Sequence, residues 1–140
     1  MDTIASTTGM QRTERPAYNR IAIATNLTKY TYAIVPILAG LDKYLHLLTD
    51  WNKYLAPAVA NLLPFSTSAF MNLVGIIEIG AGLLVLLKPK LGALVVGLWL
   101  VSIALNLLLT GEYYDIAVRD LVMAVGAFSL YLLIPEEHGV

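Results

Sequence analysis

The chain has 140 residues, 58% hydrophobic and 14% charged, with a formal net charge of −1 and a mean hydropathy of +0.71. A typical soluble domain carries about 25% charged residues, so this is a membrane composition, and the lack of a basic stripe excludes nucleic acid as a partner. No cysteine is present, which removes disulfide exchange, thiol relays, cysteine-ligated zinc and iron–sulfur clusters together.

Residues 1–20, MDTIASTTGMQRTERPAYNR, are polar and lack the apolar core of a cleavable signal. They read as a flexible cytoplasmic tail. A hydrocarbon core of about 30 Å needs about 20 mostly apolar helical residues. Four stretches meet that length: 28–48, 67–87, 90–110 and 114–134. The first is the most polar, with Tyr30, Tyr32 and Tyr44 as aromatic belts at its ends. After it, WNKYLAPAVANLLPF sets Leu55, Val59, Leu62 and Leu63 beside the interfacial anchors Trp51 and Tyr54. That pattern predicts a short helix lying on the outer face. The expected fold class is all-α: an integral membrane four-helix bundle over 21–134 with a short interfacial helix between spans one and two. Residues 135–140 read as a C-terminal tail.

Lys and Arg mark the cytoplasmic side of a membrane protein. Arg12, Arg15, Arg20 and Lys29 flank the first span, and Lys88 and Lys90 surround Pro89 between the second and third. On the other side Lys43 and Lys53 are offset by Asp42 and Asp50, followed by the acidic Glu112 and Asp115. This predicts an inner-membrane protein with both termini cytoplasmic and residues 50–66 outside.

A charged side chain at mid-bilayer costs a few kcal/mol on insertion scales, so each needs a partner, a wet cavity or a nearby interface. On this topology the polar residues of all four spans fall in the outer half. The candidate ligand-binding set is Asp42, Lys43, His46, Asn72, Glu78, Asn106, Arg119 and Asp120. Ser102 and Asp115 lie on the same side. Glu78 sits nearest the middle on a stem too short to snorkel and needs a buried partner. Arg119, at similar depth, is the expected one, with Asp42, Lys43 or Asp120 as further members. Blander readings stand beside these: Lys43 snorkelling to water, His46 as a hydrogen-bonded structural residue, Glu78 in a purely structural ion pair. His138 is a tail residue. No catalytic residue, metal site or intrinsic cofactor is indicated, since the two histidines lie far apart and no H-E-x-x-H spacing occurs. The inner half, with GLLVLL, LGALVVGLWLV and AVGAFSLYLLI, is suited to packing. Ala93 with Gly97, and Gly75, Gly80 and Gly82, allow close helix approach.

Four stretches carry a family resemblance: ILAGLDKYLHLL ending span one, VGIIEIGAGLLVLL in span two, the basic turn with PKLGAL, and YYDIAVRDLVMAVGAFSLYLL in span four. Over residues 28–134 the chain resembles the DoxX-like membrane proteins. The shared motifs are a Gly-x-x-Lys, a Gly-x-x-Glu and an Arg-Asp-Leu, which carry over Gly40 and Lys43, Gly75 and Glu78, and Arg119 and Asp120. The resemblance implies a four-helix bundle in a redox setting. Relatives include the small subunit of a thiosulfate:quinone oxidoreductase and membrane partners of oxidative-stress proteins.

Two functions compete. In one, the chain is the membrane subunit of a redox or respiratory assembly and holds a quinone or lipid head group in its outer half. His46, Glu78, Asp42 and Arg119 then supply hydrogen bonds and a proton acceptor, and other membrane or redox subunits move the electrons. In the other, it is a non-catalytic accessory subunit of a larger membrane complex. Small-solute transport is a weaker third, because no polar residues line the inner half.

Overall fold

The computed structural model describes residues 11–136, and all of its regular structure is helical. Helix α1 (Gln11–Leu45) is followed by a single 3-10 turn at Trp51–Tyr54, then α2 (Pro57–Ala60), α3 (Thr67–Leu87), α4 (Pro89–Thr110) and α5 (Tyr114–Leu133). Local chemistry sets the boundaries. The Ser66 hydroxyl accepts the Ala69 N–H at 3.2 Å and caps α3. Pro89 occupies the first turn of α4, where its missing N–H leaves no bond unmade. Gly111, at φ 75°, ends α4 in the left-handed region that glycine tolerates.

Three helices, α3, α4 and α5, are long and apolar enough to cross a membrane. They lie within a residue of three of the expected spans. Their outward sides expose Leu83, Leu98, Leu105, Val118, Val122 and Leu132, as lipid contact requires. Helix α1 does not reach the same apolarity, because Asn26, Thr28, Lys29, Tyr30, Thr31 and Tyr32 interrupt it. The reading of residues 11–20 as a flexible tail is also corrected: they are the first three turns of α1. Their Gln, Arg and Glu are good helix formers, and extension of an existing helix needs no new nucleus. Residues 1–10 and the end of the expected C-terminal tail, with His138, lie outside the described residues.

The long helices pack side by side with alternating direction. Gly82 abuts Ala33, Gly75 abuts Gly40, and the Tyr44 hydroxyl donates to the Asn72 carbonyl at 2.7 Å, so α3 descends along α1. Gly97 lies under the Phe128 ring, and Ala104 and Leu107 pack on Ala117, so α5 runs antiparallel to α4. The Tyr32 hydroxyl donates to the Met123 carbonyl and ties α1 to α5. The core at this level is Ala33, Ala81, Val85, Val96 and Ala127. Such small side chains hold helices together through close van der Waals contact. Because Ala33 is level with Gly82, residues 11–27 of α1 continue beyond the α3–α4 turn, about 25 Å of helix at 1.5 Å per residue.

The closest crossing that bears on function is Gly40 against Gly75. A Cβ on Gly75 would lie 2.7 Å from the Gly40 carbonyl oxygen, and the relation is reciprocal. By contrast nothing lies within 4 Å of Gly80 in the same helix. Substituting Gly75→Val is expected to lower stability by about 1 to 3 kcal/mol through forced separation of the backbones, while Gly80→Ala leaves it unchanged or slightly improved. Detergent-solubilised protein unfolded by an SDS titration and followed by helical circular dichroism measures both.

Candidate functional site

Lys43 follows Gly40 by three residues and Glu78 follows Gly75 by three, so each charge sits on the face of its helix that carries the glycine. Side chains lean toward the N-terminus of their own helix. In an antiparallel pair this makes the two lean toward one another. Lys43 Nζ donates to Glu78 Oε2 at 2.5 Å, and the residues are 3% and 6% exposed. The glycine crossing thus delivers a buried ion pair. It forms because the backbones are close enough for two stems to overlap.

Above the pair lies the connection from α1 to α3. The Trp51 ring covers Lys43, with Nζ 3.9 Å from the ring centroid, a cation–π contact in addition to the ion pair. Trp51 is itself held by Asp42, whose Oδ2 accepts its indole N–H at 2.8 Å. The Asp42 carboxylate also accepts the backbone N–H groups of Leu47 and Leu48. A negative charge in the last turn of a helix opposes the helix dipole, and these three donors offset that.

The connection is two short helical turns rather than one interfacial helix. Leu55 and Ala56 separate them and are buried. Asn106 fixes this break from α4: its side-chain N–H donates to the Tyr54 carbonyl at 2.7 Å and its oxygen accepts the Ala56 N–H at 3.0 Å. The Tyr54 ring meets Tyr113 edge-on, with centroids 4.9 Å apart. Proline at 57 and 64 and the ends pinned by Asn106 and Asp42 prevent a single continuous helix.

Asp120 is 7% exposed and lies within electrostatic reach of Glu78 and Arg119. The packing explains its depth. Met123 is level with Tyr32, which neighbours Ala33, and Ala33 is level with Gly82. Asp120 and Glu78 each lie about one turn nearer the Trp51 end. Trp99 completes the group from α4. Its buried indole N–H lies close enough to act on the Glu78 carboxylate yet outside hydrogen-bond geometry.

The eight candidate residues therefore separate. Lys43, Glu78 and Asp120 gather in the interior. Asp42 and Asn106 are buried or half-buried but hold the connection. His46, Asn72 and Arg119 are exposed. His46 forms the left-handed residue, φ 53°, at the end of α1, and Asn72 takes part through its backbone carbonyl alone. Arg119 as the partner of Glu78 is overturned: the partner is Lys43, because α1 and not α5 makes the glycine crossing with α3. Ser102 also turns outward and donates to the Leu98 carbonyl. Sequence reasoning gave Trp51 the roles of an interfacial anchor and, with residues through Leu63, of a cover across Asp42, Lys43 and His46, and left Trp99 in the inner packing run LGALVVGLWLV. Among the described residues no group of three or more His, Cys, Asp or Glu is placed to hold a metal ion.

Compared with known protein families, with curated proteins and with solved structures, the chain matches none.

Removing one member of a buried pair leaves an unpaired charge. Lys43→Met and Glu78→Gln should each destabilise the protein by about 3 to 5 kcal/mol, and Lys43→Met with Glu78→Leu should recover much of the loss. Arg119→Gln, on the exposed face, should change stability by no more than about 0.5 kcal/mol. SDS unfolding followed by circular dichroism measures all four variants.

Proposed function

We propose that the protein is a four-span bundle of the inner (cytoplasmic) membrane, with both termini cytoplasmic, in which α1 supplies the fourth span. Its helices enclose an outer-half site for a quinone or lipid head group, under the connection between α1 and α3 as an interfacial cover. On this reading the chain is the membrane subunit of a redox or respiratory assembly, and the electrons are moved by partner subunits. Its resemblance to the DoxX-like proteins points the same way.

The observation that carries the reading is the convergence of Lys43, Glu78 and Asp120 in an interior otherwise built from alanine, glycine and valine. Fold alone accounts for the Lys43–Glu78 pair. It does not account for Asp120, a second carboxylate in that interior, 7% exposed and without a hydrogen bond among the described residues. A head group offering a donor would satisfy it, and an unpaired polar group in an apolar interior is costly without one. The ion pair then supplies a fixed dipole beside it, and Glu78 or Asp120 accepts a proton when a quinol is oxidised.

The accessory-subunit reading has its own support. Asp42 and Asn106 hydrogen-bond to the connection and hold it, so part of the polar cluster is architectural. The two readings part in a co-purification experiment. Wild-type and Asp120→Asn protein are isolated in mild detergent and analysed for bound quinone, lipid and protein. The site reading expects head-group binding that falls about tenfold or more in the variant, from the loss of about 1.4 kcal/mol or more of polar contact. Partner proteins retained equally by both, with no quinone or lipid beyond the annulus, leaves the accessory subunit.

Orientation is tested separately. The chain has no cysteine, so single cysteines at positions 52 and 89 report sidedness without background. Labelling by an impermeant maleimide from the periplasmic side is expected at 52 and not at 89; the reverse pattern rules out the proposed topology.

A further inference from the structure

We propose that residues 46–53 form a gate over the Lys43–Glu78 pair, hinged at His46 and closed by the hydrogen bond from the Trp51 indole to Asp42. The two halves of the connection are held differently. The half from Tyr54 onward is pinned by Asn106 at two backbone groups, buries Leu55 and Ala56, and sets Tyr54 edge-on against Tyr113. The half before it has no such post. Leu47 and Leu48 are 79% and 74% exposed, and the chain turns out of α1 through His46 at φ 53°, a conformation that residues other than glycine rarely adopt.

Among the described residues, the hydrogen bonds from helix side chains to that first half all come from Asp42, which takes the N–H groups of Leu47, Leu48 and Trp51, while Lys43 adds its cation–π contact with the Trp51 ring. Of these, the Trp51 bond alone reaches across to the ring that covers Lys43. Breaking it frees the ring to swing out with its backbone while Tyr54 and Ala56 stay fixed. The ammonium of Lys43, only 3% exposed beneath the ring, then meets water. Asp42 thus acts as a latch for the cover and not as a ligand to whatever the interior holds. The gate rests on the head-group reading for its purpose, since it controls entry to that same site from the outer face. Its existence is tested without any ligand.

The test uses the full chain in nanodiscs, treated with a water-soluble N-hydroxysuccinimide acetate, with acetylation of each lysine followed by mass spectrometry. Lys53, exposed on the same face, is the internal reference. In the wild type Lys43 should react far more slowly than Lys53. Trp51→Phe keeps an aromatic face, a smaller one, and removes the N–H, and should raise the Lys43 rate about tenfold, as loss of one charge-assisted hydrogen bond predicts. Asp42→Ala removes the acceptor and should do the same, and the double variant should be no faster than Asp42→Ala, because both remove the same bond. Should Asp42→Ala disturb the end of α1, Trp51→Phe carries the test alone, since it leaves the bonds to Leu47 and Leu48 in place. A Lys43 rate unchanged in Trp51→Phe, or two single effects that multiply in the double variant, overturns the latch. Failure here with head group still co-purifying removes the gate only. A working gate on a protein that binds no head group removes only the reading of the site.

Discussion

A lysine and a glutamate buried against one another between two helices impose a condition that much of the molecule serves. Two opposite charges in a low-dielectric interior attract strongly, but removing both from water is expensive, and the balance depends on close geometry and complete coordination. The Gly40–Gly75 crossing provides the closeness. Any side chain at either position would hold the backbones apart and leave the stems of Lys43 and Glu78 short of contact. Trp51 covers the ammonium and replaces part of its hydration with the face of an aromatic ring. The position of α1 against α3, and the presence of a cover at all, follow from the same pair.

The remaining polar groups fall into distinct physical roles. Asp42 accepts several donors of the connection, and Asn106 both donates to it and accepts from it. Asp120 is different, being a carboxylate buried beside the pair without a donor of its own among the described residues. In an interior lined by alanine and glycine, that is where chemistry has room to differ from architecture. The outward surfaces of α3, α4 and α5 are leucine and valine and fit contact with lipid.

Much of this was legible in the sequence, for reasons that can be named. Long apolar runs bounded by Ser66, Pro89 and Gly111 mark α3 and α4 because the stop signals are chemical and local. The depth of Lys43, Glu78 and Asp120 followed from rise per residue alone. Which of them touch did not follow. Depth gives a level within a bundle but no azimuth, and Arg119 and Lys43 are equivalent by level. The deciding signal was the spacing of glycine to charge in two helices. It becomes a contact only once those helices are known to cross at their glycines. The extent of α1 was hidden for a different reason: residues 11–20 are polar, so no hydrophobic pattern distinguishes a solvated helix from a tail.

Asn106 grips the connection only by main-chain atoms, the Tyr54 carbonyl and the Ala56 amide. A peptide group is the same whatever residue bears it, so this attachment is indifferent to the identity of the side chains it positions. Outside Trp51 and the buried Leu55 and Ala56, the connection can therefore be rewritten, residue by residue, without losing its place above the helices. Novelty can accumulate in the cover while the bundle beneath stays unaltered. A helical protein of this design is able to change what it presents at that end faster than it changes its fold.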